Sequence, residues 1–149
     1  MKLTVTTNLE EAMSGLAARL QAAAGGGMLR AVAVTLLPVV KDRIHTQGLS
    51  ADGTPIGVYN PKYLKRRQRK PYNRTADPKK INSLTRQMEN DFSVIATPDA
   101  TGLGFKNEVN YIKARFTEKS SGKTIYGLTV DEKQIANQAA QAYLADALR

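Results

Sequence analysis

The residues with the most distinctive chemistry are the cations between Lys62 and Lys80, a stretch called the basic segment below. It carries nine lysines and arginines against one acid, Asp77, in a chain of formal net charge +9. So dense a like charge favours an anionic partner, either a nucleic acid or an acidic protein face, and Tyr63 and Tyr72 could stack on bases. A mobile, solvated loop is the alternative interpretation. The nine cations are Lys62, Lys65, Arg66, Arg67, Arg69, Lys70, Arg74, Lys79 and Lys80.

Few residues in this chain are suited to catalysis. His45 is the only histidine and cysteine is absent, so a histidine-built metal site and a Ser/His or Cys/His nucleophile pair are not expected. We expect His45 at the surface, and Asp42 is only a weak hint of a dyad. The acids at Glu10–Glu11 and Asp131–Glu132 suit first helical turns. The Gly25–Gly27 run lacks the ending of a phosphate loop and is interpreted as a linker. We predict no enzyme, no metal and no cofactor.

Length and composition indicate one domain without a membrane segment. A chain of 149 residues with 42% hydrophobic content fits a single packed domain over residues 1–149. The longest apolar run, Ala31–Val40, contains a proline and is shorter than the ~20 residues that cross a bilayer. Glu10 and Glu11 lie where a signal peptide would be apolar. We therefore expect no membrane contact and a protein made in the cytoplasm of its host cell.

Residues 1–47 are predicted to form two N-terminal helices. Asn8 is a suitable N-cap for the first, whose apolar positions from Leu9 to Leu20 follow helical spacing until Gly25–Gly27 ends it. A second helical pattern runs from Met28 to Thr46, and Pro38 within it predicts a kink or a break.

Residues 48–80 are predicted to form a long basic loop. Three glycines and two prolines between Gly48 and Pro61 indicate defined turns. The following stretch from Tyr63 to Lys70 could be a short helix that Pro71 stops, and Asn73–Asp77 indicates a loop.

Residues 81–130 are predicted to be the β-rich part. Ile81, Leu84 and Met88 suggest one or two helical turns, after which Phe92–Thr97 and Thr101–Lys106 predict a β-hairpin.

The end of the chain is predicted to be helical, but the stretch before it is less determined. Val109–Phe116 fits a third strand or a helix, Lys119–Gly122 indicates a turn, and Lys123–Val130 fits a short strand or an extended segment. Residues 131–149 predict a C-terminal helix with Asp131 as its N-cap and Gln134 in the capping-box position. The fold class expected is α+β, with helices packed on an antiparallel sheet.

Three segments, taken in order, resemble one family. Ala51–Lys70 combines a glycine turn, a tyrosine and a basic run, in the letters ADGTPIGVYNPKYLKRRQRK. Leu84–Ile95 is similar to an L-T-G-x-M/L pattern, with Arg86 at the place of the glycine. Gly122–Gln138, in the letters GKTIYGLTVDEKQIANQ, leads into the last helix. Together they resemble the phage virion-morphogenesis and tail-completion proteins, which act in head–tail joining at the neck.

This resemblance implies a function as well as a fold. It implies helices on an antiparallel sheet with a long loop before the hairpin. It also implies a non-enzymatic part of a tailed phage or prophage particle, at the neck or upper tail, that assembles as a ring. The partners implied are other copies of the chain and neck, connector or tail-tube proteins. The basic segment would then face packaged DNA in the lumen or dock on an acidic neighbour.

A second class of function stays open. The basic segment has no zinc-finger, helix-turn-helix or RNA-binding aromatic signature around it. Basic residues without a base-reading element contact phosphates and give salt-sensitive affinity that does not depend on sequence. The alternative is therefore a small DNA-binding protein that uses residues 62–80.

Overall fold

The computed structural model describes residues 15, 17–19, 21–22, 24–70, 77–82, 85–97 and 100–149. Within them the fold is α+β, with helices around a two-stranded antiparallel sheet, which confirms the predicted class. The first predicted helix, begun at Asn8, falls largely outside the described residues. The elements are α1 (Gly26–Asp42), a π-helical turn (Arg43–Gln47), α2 (Pro61–Gln68), α3 (Gln87–Asp91), β1 (Phe92–Ala96), β2 (Thr101–Phe105), α4 (Glu108–Ser121) and α5 (Val130–Ala147).

Helix α1 confirms the second predicted helix with shifted ends. Gly25 is its N-cap, so Gly26 and Gly27 belong to the first helical turn and not to a linker. Pro38 lies inside the helix, which continues to Asp42 without the predicted break. The π-helical turn carries the chain on to Gly48, whose φ of 69° closes it.

The core forms where α1, the hairpin and two irregular segments meet. Its fully or almost fully buried members are Val40, Ile44, Ile56, Phe92 and Ile125. Phe105 and Tyr126 pack against Phe92, with ring centroids 5.1 and 5.3 Å from its own. Removing these apolar surfaces from water is the main force that holds the connected segments together.

The predicted hairpin is confirmed. Strands β1 and β2 pair antiparallel, with Phe92 opposite Phe105 and Ala96 opposite Thr101. Thr97 closes the connection, because its N–H donates to the carbonyl of Ala100 over 2.7 Å.

Helix α4 settles the ambiguous stretch as helix. The Asn107 side chain accepts from the Val109 N–H, and Gly122, at a φ of 67°, ends the helix. The turn predicted at Lys119–Gly122 therefore starts later, since α4 runs to Ser121. Residues 123–129 form no strand, so the predicted β-rich part contains more helix than strand.

Helix α5 confirms the C-terminal helix and corrects its start. Its N-cap is Thr129, two residues before the predicted Asp131, and Thr129 forms a capping box with Glu132. Helix α5 packs on α1, where Gly27 lies against the hydroxyl of Tyr143. In the part of the chain described, no helix combines the length and the apolar character that crossing a bilayer requires.

Candidate functional site

The start of the basic segment is a helix. Pro61 occupies its first turn, and the side chain of Asn60 accepts a hydrogen bond from the Lys62 N–H over 2.9 Å. Both features stabilise a helix start, because proline has no N–H to leave unpaired there and asparagine satisfies one that remains. The short helix predicted over Tyr63–Lys70 therefore begins two residues earlier, at Pro61, and ends at Gln68.

Arg67 is buried within this basic helix. It is only 3% exposed, and its guanidinium lies 4.7 Å from the centroid of the Tyr59 ring. One of its terminal nitrogens donates to the Tyr59 hydroxyl over 3.3 Å. Burial raises the pKa of that hydroxyl, while the positive charge of Arg67 opposes the rise. This arrangement ties α2 to the chain before it through a cation–π contact.

The other cations of α2 and its end project into solvent. Tyr63 is half-buried, its ring centroid 5.3 Å from that of Tyr59, and the guanidinium of Arg66 lies 5.9 Å from the same ring centroid. A row of positive charge on one short helix repels itself and attracts polyanions. The exposed cations are Lys62, Lys65, Arg66, Arg69 and Lys70.

The far end of the basic segment is fixed to the chain before α2. The Tyr59 N–H donates to the Pro78 carbonyl and the Lys80 N–H donates to the Gly57 carbonyl, each over 2.8 Å. Lys79 pairs with Val58 in an isolated bridge. The two ends of the basic segment are thereby held together. The predicted contact residues Tyr72 and Arg74 lie outside the described residues.

A concave site of about 590 Å³ lies on the inner side of α2. Three cations reach it from separate parts of the chain: Arg67 from α2, Lys80 from the end of the basic segment and Lys113 from α4. Tyr59 and Tyr63 form part of its wall. The sequence analysis did not associate Lys113 with this group, because it lies more than thirty positions away and outside the basic segment.

His45 is buried, which corrects the prediction of a surface position. It is 6% exposed, and its Nδ1–H donates to the Ile81 carbonyl over 3.2 Å. Asp42 instead accepts from the Gln47 amide over 2.6 Å, so Asp42 and His45 are not arranged as a dyad. Burial lowers the pKa of His45 below its usual 6.5.

Arg43 is an anchor that the sequence analysis missed. Its Nε donates to Glu132 over 2.7 Å, and its other nitrogens donate to the carbonyls of Leu49, Ile125 and Gly127 over 2.8 to 3.0 Å. This buried charge joins the π-helical turn to the segments that contain Leu49 and Ile125–Gly127 and to the start of α5. A signal was present, because Arg43 falls three residues after Val40 on the apolar face of the second helical pattern.

Among the described residues, no three histidine, aspartate or glutamate side chains are grouped to hold a metal ion. Comparison with protein-family models, with curated proteins and with solved structures found no match to this chain.

Proposed function

We propose that this chain is a structural protein of a tailed phage or prophage particle. It would be assembled in the host cytoplasm, take its place at the neck or upper tail, and complete the tail or join it to the head. Its partners would be other copies of itself in a ring, together with neck, connector or tail-tube proteins. The proposal starts from the resemblance of three segments to virion-morphogenesis and tail-completion proteins.

The observation that carries the proposal is the backbone of Arg86. Arg86 has a φ of 60°, in the left-handed region that glycine adopts without strain and other residues adopt at a cost. This is the position at which the family pattern L-T-G has its glycine. A backbone that favours glycine at position 86 supports the resemblance, because nothing in the local sequence otherwise calls for a left-handed conformation there.

The three resembling segments also share one core. Ile56 comes from the first, Phe92 from the second and Ile125 from the third, and all three are buried in the same cluster. Segments that pack into one core depend on one another for their apolar positions. A protein of the same fold would therefore need all three segments, in the same order along its chain. This packing supports reading the three segments as parts of one pattern.

An apolar stripe on α4 supports a role in assembly. Val109 and Ile112 are each 57% exposed and Phe116 is 71% exposed. The spacing of three and four residues places them on one face of the helix, opposite the buried Asn110 and Ala114. Large apolar side chains grouped on a surface are typical of protein–protein contacts. We propose that another copy of this chain covers the stripe in the ring.

The mass of the purified protein in solution tests this proposal. Light scattering at low and moderate salt, without DNA, should give a discrete oligomer. Ile112→Asp, in the middle of the stripe, should shift it towards the monomer because a charge would be buried in the contact. Gln138→Asp introduces the same residue at an exposed position of α5 and should leave the mass unchanged. A monomer that also fails to bind tail or connector proteins would contradict the proposal.

The exposed face of α2 favours a second candidate function. Three exposed cations, Lys62, Lys65 and Arg66, lie on α2, and a fourth, Arg69, caps its end. The two ends of the basic segment are fixed by backbone hydrogen bonds, which suits contact with phosphates. A sequence-independent DNA-binding protein would lose affinity with salt, by about 0.9 in log–log slope per phosphate contacted. Replacing these four residues with alanine should remove most of that slope. Unchanged binding would contradict this candidate.

A further inference from the structure

The concave site on the inner side of α2 has the charge of an anion-binding site. Arg67, Lys80 and Lys113 line it, and none of the other lining residues, all within the described ranges, is an acid. Arg67 is already engaged with Tyr59, while Lys113 reaches the Gln87 side chain over a long 3.4 Å. Positive charge around a concavity concentrates anions, because low-dielectric walls focus the field.

The backbone positions that carry the three cations are held in place before any ligand binds. Arg67 is fixed by its contact with the Tyr59 ring, and Lys113 is carried by α4. The backbone at Lys80 is fixed because its N–H bonds to Gly57 and its carbonyl lies close against Gly48. A site that is already arranged loses less entropy on binding than one that must be assembled.

The wall of the site offers flat aromatic surface beside this charge. The rings of Tyr59 and Tyr63 lie 5.3 Å apart and are tilted by 46°. Tyr63 is only half-buried, so part of its ring remains open to the concavity that it lines. Tyrosine rings next to cations are the combination that stacks a base and holds its phosphate.

We propose that this site binds one nucleotide unit, with its phosphate between Lys80 and Lys113 and its base against Tyr63. The volume of about 590 Å³ lies within the range of small-molecule sites and accommodates a nucleotide. The unit comes from a single-stranded nucleic acid or from a free nucleotide, which share this chemistry. The inference depends neither on the virion role nor on contacts of the exposed face of α2.

Fluorescence anisotropy with a labelled oligothymidine of about ten nucleotides tests the site on the full chain. Lys113→Ala should weaken binding about fivefold or more, because Lys113 lies outside the basic segment and lines this site. Lys119→Ala is the matched control, since it removes an exposed lysine from the same helix and should change affinity less than about twofold. Thermal unfolding verifies that both variants fold.

The aromatic part of the site has its own variants. Tyr63→Ala should weaken binding about tenfold, whereas Tyr63→Phe keeps the ring and should bind like the parent protein. Unlabelled thymidine monophosphate that displaces the oligonucleotide indicates a site for free nucleotides. Failure to displace it, with the variant losses intact, indicates a site on a nucleic-acid strand.

Three results would overturn the inference. In the first, oligonucleotide binding survives Lys113→Ala and Tyr63→Ala but is lost when four exposed cations become alanine. That result would assign binding to the outer face of α2 alone. The four cations are Lys62, Lys65, Arg66 and Arg69. The second is tighter binding of polyglutamate than of oligonucleotide, which indicates an acidic protein partner. The third is the absence of any binding to oligothymidine or to the mononucleotide.

Discussion

At the scale of single residues, His45 shows how burial changes a titratable side chain. Its Nδ1–H donates to the Ile81 carbonyl, and its buried Nε2 has no hydrogen-bond partner among the described residues. A proton on Nε2 would therefore add a charge that burial keeps away from bulk solvent. Burial is the largest influence and lowers the pKa of His45, with Lys41 acting in the same direction and Glu89 opposing.

The stability of the protein should consequently fall below about pH 6.5. In the unfolded chain His45 binds a proton near its usual pKa of ~6.5, whereas in the folded chain it stays neutral to a lower pH. Between these two values each lower pH unit should cost up to about 1.4 kcal/mol of unfolding free energy. Urea unfolding at pH 7.5, 6.5 and 5.5 measures this slope.

His45→Gln is the control for that slope. Because it removes the only histidine, the variant should lose little stability between pH 7.5 and 5.5. Equal slopes in the parent protein and the variant would show that another group titrates in this range.

Arg86 gives a second prediction at this scale. Its φ of 60° costs about 1–2 kcal/mol in a residue with a side chain, and its ion pair with Glu89, at 3.8 Å, is long and partly exposed. Arg86→Gly should therefore raise the unfolding free energy by about 0.5–1 kcal/mol, after the greater freedom of glycine in the unfolded chain is subtracted. Urea unfolding measures the change.

Arg86→Ala separates backbone strain from loss of the side chain. Alanine removes the guanidinium but keeps the strain, so this variant should gain nothing. A stabilisation of equal size in both variants would mean that the arginine side chain, and not the backbone, is unfavourable at this position.

At the scale of elements, α4 shows where sequence patterns stop being informative. Its exposed face carries the large apolar residues Val109, Ile112 and Phe116, while its buried face carries Asn110 and Ala114. In the sequence the apolar residues of Val109–Phe116 alternate imperfectly, which fits a strand as well as a helix. Which face would be buried depends on the packing of α4 and is not visible in the sequence.

The segment after α4, residues 123–129, forms no strand because a side chain of α4 takes part of its backbone hydrogen bonding. The N–H groups of Ile125 and Tyr126 both donate to one carboxylate oxygen of Glu118, over 2.8 and 3.1 Å. A side chain of the preceding helix thus takes the hydrogen bonds that a neighbouring strand would otherwise accept. An extended conformation for Lys123–Val130 was one of the two predicted alternatives, but its hydrogen-bond partner, Glu118, was not predicted.

The connection between α1 and the basic segment yields a prediction about glycine. Gly48 has a φ of 69°, and a Cβ atom there would lie 2.7 Å from the Lys80 carbonyl oxygen. Gly48→Ala therefore combines left-handed strain with a clash against a fixed backbone. We expect a loss of unfolding free energy larger than the ~1–2 kcal/mol of left-handed strain alone, measured by urea unfolding.

Gly53→Ala is the matched control. Gly53 has a similar φ of 79°, but a Cβ atom there meets nothing within 4 Å. It should show the strain without the clash and lose about 1–2 kcal/mol. Equal losses at both positions would mean that the close contact between residues 48 and 80 is not part of the folded state.

At the scale of the whole molecule, the sequence predicted what depends on local pattern and missed what depends on distant pairing. The α+β class, α1, the hairpin and the C-terminal helix followed from the spacing of apolar residues and from turn signals, whereas the N-cap predicted at Asp131 was displaced to Thr129. The anchor formed by Arg43 and Glu132 joins residues 89 positions apart, and no local rule predicts such a pair.

The candidate site also combines features that the sequence predicted with features that only the fold reveals. The charge of the basic segment was visible in the sequence, but the burial of Arg67 against Tyr59 was not. The approach of Lys113 to the same concavity depends on how α4 packs. The sequence therefore predicted that the site would be basic, whereas the positions of its cations could be known only from the folded structure.

The concentration of charge on α2 predicts how the whole protein responds to salt. At ~0.01 M ionic strength the screening length is about 30 Å, so the cations of the basic segment repel one another and the remaining positive charge of the molecule. Raising NaCl to 0.15 M shortens that length to about 8 Å and relieves the repulsion. The midpoint of thermal unfolding should therefore rise by about 2–4 °C over this range.

Two variants of equal charge test whether clustering is the cause. Replacing Lys62, Lys65, Arg66 and Arg69 with alanine lowers the net charge of +9 by four and should remove most of the salt response. The control replaces four exposed cations that are dispersed along the chain and should keep most of the salt response, because it leaves the cluster on α2 intact. Equal salt responses in both variants would assign the effect to net charge rather than to α2. The dispersed cations are Arg30, Lys106, Lys119 and Lys133.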